Sequence, residues 1–153
     1  MLNAVDAKSR VSLPANYRKT IERNTNEAVA VLGLHETDPC LIGYDRAWGD
    51  MLLAEIREDR ARAKISGAPA DRFNPARLAF GLTEDVNIDT TGRITLPAFY
   101  REHAAIANWV WFMADGDTFE MWNPQVLLAH PDMDPRVKAA VRHDLAKAGV
   151  PHA

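Results

Sequence analysis

The stretch that decides the fold is Asp89-Thr-Thr-Gly92-Arg93-Ile-Thr-Leu-Pro97-Ala-Phe-Tyr100-Arg101, because the chain uses it twice. The earlier copy reads Asp6-Ala-Lys8-Ser9-Arg10-Val-Ser-Leu-Pro14-Ala-Asn-Tyr17-Arg18. Seven of the thirteen positions are identical without a gap, and a branched aliphatic follows each first arginine. A repeat of this length sets the architecture of the whole chain.

Around the second copy, Val86, Ile88, Ile94 and Leu96 alternate with polar residues on either side of the Asp-Thr-Thr-Gly segment. That pattern predicts two half-buried strands joined by a tight turn. Aspartate opens such a turn by accepting backbone N–H groups further on, and glycine closes it with a positive φ. Arg93 therefore stands at the mouth of a hairpin. Leu-Pro comes next, and proline suits the first helical position, so a short helix is expected from Pro97 to about Ala105. The first copy predicts the same plan, with a helix from Pro14 to about Arg23. Ser9 stands where Gly92 does, so the first turn is expected to be looser or of another type. Only five residues precede Asp6; the first strand is expected to be short, or the natural start trimmed.

These doubled motifs resemble the MraZ family of bacterial transcription regulators, within the SpoVT/AbrB-like superfamily of swapped-hairpin DNA-binding domains. The likeness spans roughly residues 3 to 130. It implies an α+β, mainly β fold: a double-psi, swapped-hairpin AbrB-like barrel built from two tandem repeats with flanking helices. The implied organisation is a first repeat with its trailing helix over 1–66, and a linker with a short helix over 67–80. A second repeat over 81–130 and a C-terminal helix over 131–153 complete it.

Composition bounds the rest. The 153 residues are 47% hydrophobic and 25% charged, which suits one packed domain or two small halves sharing a core. No apolar run reaches the length of a membrane span, and no secretory signal is expected at the N-terminus. One cysteine, Cys40, excludes an internal disulfide and fits a reducing cytoplasm. The net charge is −3. Residues 1–34 are basic, with Lys8, Arg10, Arg18, Lys19 and Arg23 against Asp6, Glu22 and Glu27, whereas residues 81–135 set nine acids against Arg93 and Arg101. A DNA-binding face would thus be a few arginines repeated by assembly rather than one basic surface.

Along the chain, Ala28–Leu32 and Cys40–Tyr44 read as strands around a loop. Asp45 reads as the N-cap of a helix reaching about Ile65, with Trp48, Met51, Leu52 and Ile56 at apolar positions. Arg57, Arg60, Arg62 and Lys64 are read as a solvated helix face shared with Glu55, Glu58 and Asp59. Ser66-Gly-Ala-Pro69 breaks the chain into halves, and Asn74-Pro75 caps a helix over Ala76–Phe80. Asp-Gly-Asp between Trp109–Met113 and Thr118–Trp122 predicts a hairpin. Asn123-Pro124 and Asp134-Pro135 open further helices, the last with Val137, Val141 and Leu145 on one face and Gly149 as its stop. One copy alone would leave sheet edges open. Two can interleave into a closed or nearly closed pseudo-twofold barrel. Trp109, Trp111 and Trp122 are expected in the core more than at an interface.

Arg10 and Arg93 are the sharpest binding candidates, since a guanidinium on a rigid turn can fork onto guanine or phosphate. Lys8 suits phosphate; its counterpart Thr91 carries no charge. Asp6 and Asp89 organise the loops, together with Ser9 and Gly92. From the residues alone, Asp6–Arg10 and Asp89–Arg93 read equally well as turn-stabilising ion pairs. Arg18 and Arg101 read as scaffold. The family resemblance implies binding: a repressor of the division and cell-wall gene cluster, engaging short direct promoter repeats through a homo-oligomeric ring. It further implies a cytoplasmic, nucleoid-associated protein with double-stranded DNA as partner, no membrane and no cofactor. The alternative is an AbrB-like, antitoxin-like protein-interaction module without direct DNA reading. No enzyme is expected: His35, His103, His130, His143 and His152 lack metal-ligand spacing, Cys40 reads as a strand residue rather than a nucleophile, and no glycine-rich phosphate loop occurs.

Overall fold

The structure, a computed structural model, describes residues 1–67 and 75–152. Of the expected break at Ser66-Gly-Ala-Pro69, Gly67 ends the preceding helix with a φ of 66°, whereas Ala68-Pro69 and the cap at Asn74 lie outside the described residues. The chain runs β1 (Leu2–Ala4), β2 (Arg10–Ser12), α1 (Ala15–Thr25), β3 (Val29–Leu34), β4 (Leu41–Tyr44), α2 (Arg46–Ser66) and α3 (Pro75–Gly81). It continues with β5 (Thr83–Asn87), β6 (Arg93–Thr95), α4 (Ala98–His103), β7 (Trp109–Asp115), β8 (Thr118–Trp122), α5 (Pro124–Ala129) and α6 (Pro135–Lys147). This is an α+β fold whose strands are all antiparallel.

Six strands form one sheet in the order β1-β7-β8-β4-β3-β5, and β2 pairs with β6 in a separate ribbon. The order reads the same from either end when each strand is replaced by its counterpart in the other half. Strand β1 lies on β7, with Asn3 opposite Val110, and β5 lies on β3, with Val86 opposite Ala30. Each half therefore lends its opening strand to the other half's hairpin. The sheet ends at β1 and β5 and does not close on itself, so the closed form of the expected barrel is not seen.

Between the sheet, the ribbon and the short helices lies the main core, which includes Leu13, Leu32, Ile94, Leu96, Phe112 and Met121. A second cluster forms where α5 and α6 cover the sheet, around Trp111, Trp122, Leu127, Val141 and Leu145, with Cys40 among them. Trp122 is fully buried and Trp111 nearly so. Apolar residues of this size are worth about 1.5–3 kcal/mol each when buried, so the C-terminal helix is part of the folded unit rather than an appendage.

Local chemistry sets the helix starts. The side chains of Asp45, Asn123 and Asp134 accept the N–H groups of Trp48, Gln125 and Arg136, at 2.8 Å in each case. Pro14 and Pro97 hold extended ψ values of 137° and 148° and sit one residue before their helices, not in the first helical position. The α4 helix stops at His103, short of the expected Ala105, whose φ of 51° cannot continue a helix. On α2, Ile56 is buried but Met51 is 59% exposed, so Met51 leaves the apolar stripe expected of it.

Candidate functional site

Both repeated turns are built from one carboxylate. Asp6 Oδ1 accepts the N–H groups of Lys8 and Arg10, each at 2.9 Å, while Oδ2 accepts Arg10 Nε at 2.8 Å. Asp89 Oδ1 accepts the Thr91 and Arg93 N–H groups at 2.9 Å and the Thr91 hydroxyl at 2.7 Å; Oδ2 accepts Arg93 Nε at 2.9 Å. Backbone bonds close the turns from Ser9 N–H to Asp6 C=O and from Gly92 N–H to Asp89 C=O. The Arg93 backbone N–H, followed by the Thr91 hydroxyl, holds the Asp89 carboxyl far below the usual carboxylate range. Asp6 is lowered for the same first reason, the N–H of Arg10.

Ser9 corrects one expectation. Its φ is 62°, against 82° at Gly92, and its turn carries the same backbone bonds. The first turn is neither looser nor of another type; the surrounding bonds hold serine in the left-handed region despite a cost of about 1–2 kcal/mol.

The ribbon brings the two turns together. Val11 pairs with Ile94 at its centre, and both are 1% exposed. Side chains alternate along a strand, so Arg10 and Ser12, with Arg93 and Thr95, belong to the opposite, outer face. Arg10 lies across from Thr95 and Arg93 across from Ser12. The arginines are therefore diagonal neighbours, a relationship that typically separates residues by roughly 7–8 Å. Each is about a third exposed and commits only Nε to its aspartate. Their four Nη groups have no partner among the described residues. Lys8 is exposed on the first turn, with no acidic partner for its ammonium among the described residues.

Two further arginines belong to this assembly, which linear reading assigned to scaffold. Arg18 of α1 lays its guanidinium where a Cβ on Gly92 would stand. Arg101 of α4 donates from Nη1 to Ser9 Oγ. Each thus reaches the turn of the other repeat. Sequence offered only the repetition of Arg18 and Arg101 as a signal.

Away from the turns, the structure joins histidines that have no motif spacing. His35 and His130 flank Asp38 at 3.8 and 3.5 Å, and Glu120 stands 3.7 Å from His35 while accepting the Trp122 indole N–H at 2.6 Å. Among the described residues, no group of three or more His, Cys, Asp or Glu side chains could hold a metal ion. Cys40 is wholly buried, and burial raises its thiol pKa well above the ordinary range. No helix among the described residues is long and apolar enough to cross a membrane.

Comparison with known proteins gives a consistent picture. A family described as "MraZ protein, putative antitoxin-like" matches residues 79–126. The chain is 32% identical over 119 residues to a protein of Coxiella burnetii named transcriptional regulator MraZ, covering 78% of this chain and 74% of that one. Proteins of the same name from Hydrogenovibrio crunogenus and Azorhizobium caulinodans are 32% identical over 123 residues and 34% identical over 128. Those alignments cover 79% and 82% of this chain, and 75% and 76% of theirs.

Proposed function

The chain belongs to the MraZ family, and from that premise we propose that it is a DNA-binding transcriptional regulator. The reading is a repressor of the division and cell-wall gene cluster, acting in the cytoplasm at the nucleoid. The observation that carries it is the pairing of Val11 with Ile94, which sets Arg10 and Arg93 side by side on the outer face of the ribbon. Each aspartate restrains its arginine through Nε and leaves the forked end for an acceptor. A guanidinium so restrained loses less entropy on meeting guanine O6/N7 or a phosphate. Lys8 adds a phosphate contact on the first turn.

We read the exchanged opening strands as the swapped-hairpin, double-psi arrangement of two SpoVT/AbrB-like repeats, over 1–66 and 81–130. Residues 67–80 link them, and 131–153 supply the C-terminal helix. The acidic net charge favours few contacts per subunit, so a homo-oligomeric ring would multiply them over direct promoter repeats.

A mobility-shift titration with promoter repeats at several salt concentrations tests this. Arg10→Ala and Arg93→Ala are each expected to weaken binding about ten- to a hundredfold, with the assembly unchanged in light scattering. Unchanged binding would remove the two arginines as the contacts, and absence of wild-type binding would favour the protein-interaction module without direct DNA reading. A particle of one 17.0 kDa subunit would remove the ring.

A further inference from the structure

Each repeat carries a second arginine four residues past its proline, and the two are not used alike. Position 9 of the first turn and position 92 of the second are equivalent in backbone. Leu13 N–H donates to Gly92 C=O at 2.9 Å, and Leu96 N–H donates to Ser9 C=O at 2.8 Å. The Arg18 guanidinium covers Gly92 so closely that a Cβ there would collide with its Nη1, Cζ and Nε. At the first turn the Cβ is present, and Arg101 meets the Ser9 hydroxyl through Nη1 instead. Nε of Arg18 and Nε of Arg101 are both buried without an acceptor. Desolvated donors of this kind call for a use of the rest of the group.

For Arg101 the use is visible, since Ser9 takes one arm. Arg18 has no side-chain hydrogen bond or ion pair to any described residue, and its guanidinium lies against Gly92, the residue that precedes Arg93. We propose that Ser9 is a positioning residue that retains Arg101 as a brace of the first turn, leaving Arg18 as the phosphate-contacting partner of Arg93. The two turns then meet DNA unequally: one offers Arg10 and Lys8, the other Arg93 and Arg18. A guanidinium with free N–H groups matches a phosphate, and glycine beneath it lets it lie against the backbone. This rests on the DNA-binding reading above.

The test is a salt series of DNA-binding titrations with wild type, Arg18→Gln, Arg101→Gln, Ser9→Gly and the Ser9→Gly/Arg101→Gln double variant. Glutamine keeps most of the side-chain bulk, and circular dichroism checks the fold. Each cation that neutralises a phosphate contributes about 0.9 to the slope of log affinity against log salt. Arg18→Gln is expected to lower the slope by that amount per engaged subunit, and Arg101→Gln to leave it unchanged. In the Ser9→Gly background, Arg101→Gln should lower it too. Equal slopes for Arg18→Gln and Arg101→Gln would overturn the proposal. A DNA-free measurement separates it from the reading it rests on: NMR of the guanidinium groups should show slowed rotation at Arg101 in wild type, lost in Ser9→Gly. Absence of that difference overturns the Ser9 tie even where DNA binds. Absence of wild-type DNA binding overturns Arg18's role, whatever the NMR result.

Discussion

Arg93 gives Asp89 two hydrogen bonds of 2.9 Å, one from its backbone N–H and one from Nε. The same carboxylate thus shapes the turn and aims the side chain. Because these bonds favour the ionised form, they are fully present above the ordinary carboxylate value of 3.8 and are lost as pH falls through the lower folded value. NMR titration of the Arg93 Nε–H signal should show the turn intact at pH 4 and losing this bond only in stronger acid. A signal that titrates with an ordinary carboxylate midpoint would contradict the geometry.

Gly92 is held by two constraints at once, a φ of 82° and the Arg18 guanidinium above it. Gly92→Ala should cost about 1–2 kcal/mol for the left-handed backbone alone, with more for moving Arg18. Ser9→Ala, which already has a Cβ at the equivalent place, should cost less. Denaturant midpoints of the two variants check the order.

Gly43 on β4 faces Phe119 of β8, and an added Cβ would fall within 2.9 Å of the ring. The ring is not free to retreat, for it stacks on Tyr17 at a centroid distance of 5.0 Å. Gly43→Ala should therefore destabilise by about 1–3 kcal/mol through overpacking, measured as a lower Tm.

Cys40 should resist thiol reagents at pH 8 in the native protein, because burial disfavours its thiolate. Its modification rate is expected to rise with denaturant in step with unfolding. Rapid labelling without denaturant would contradict its place beside Trp122 in the core.

What the sequence made legible is what local chemistry controls. Asp89 and Gly92 specify a turn through bonds within five residues, and Asp45, Asn123 and Asp134 specify helix starts in the same way. The aspartate–arginine spacing was readable for that reason. Strand partners were not, since nothing in Leu2–Ala4 says that it will lie on Trp109–Trp111 rather than within its own half. The left-handed Ser9 was equally hidden: serine does not advertise a positive φ, and two of the bonds that hold it, from Leu96 N–H and Arg101 Nη1, come from the other repeat. Arg18 and Arg101 read as scaffold because their targets lie 74 and 92 positions away. Met51 follows Trp48 at helical spacing yet faces solvent, because the buried side of α2 runs through Leu52 and Ile56, four residues apart, and Met51 lies about 140° around the helix from Ile56.

The exchange of opening strands has a consequence for how damage spreads. Severing the chain between residues 67 and 75 would leave two fragments that still need each other, since β1 is completed by β7 and β5 by β3. Co-expressed as separate polypeptides, they should reconstitute one particle, while either alone should aggregate. Neither half is therefore dispensable, because each completes the other's sheet.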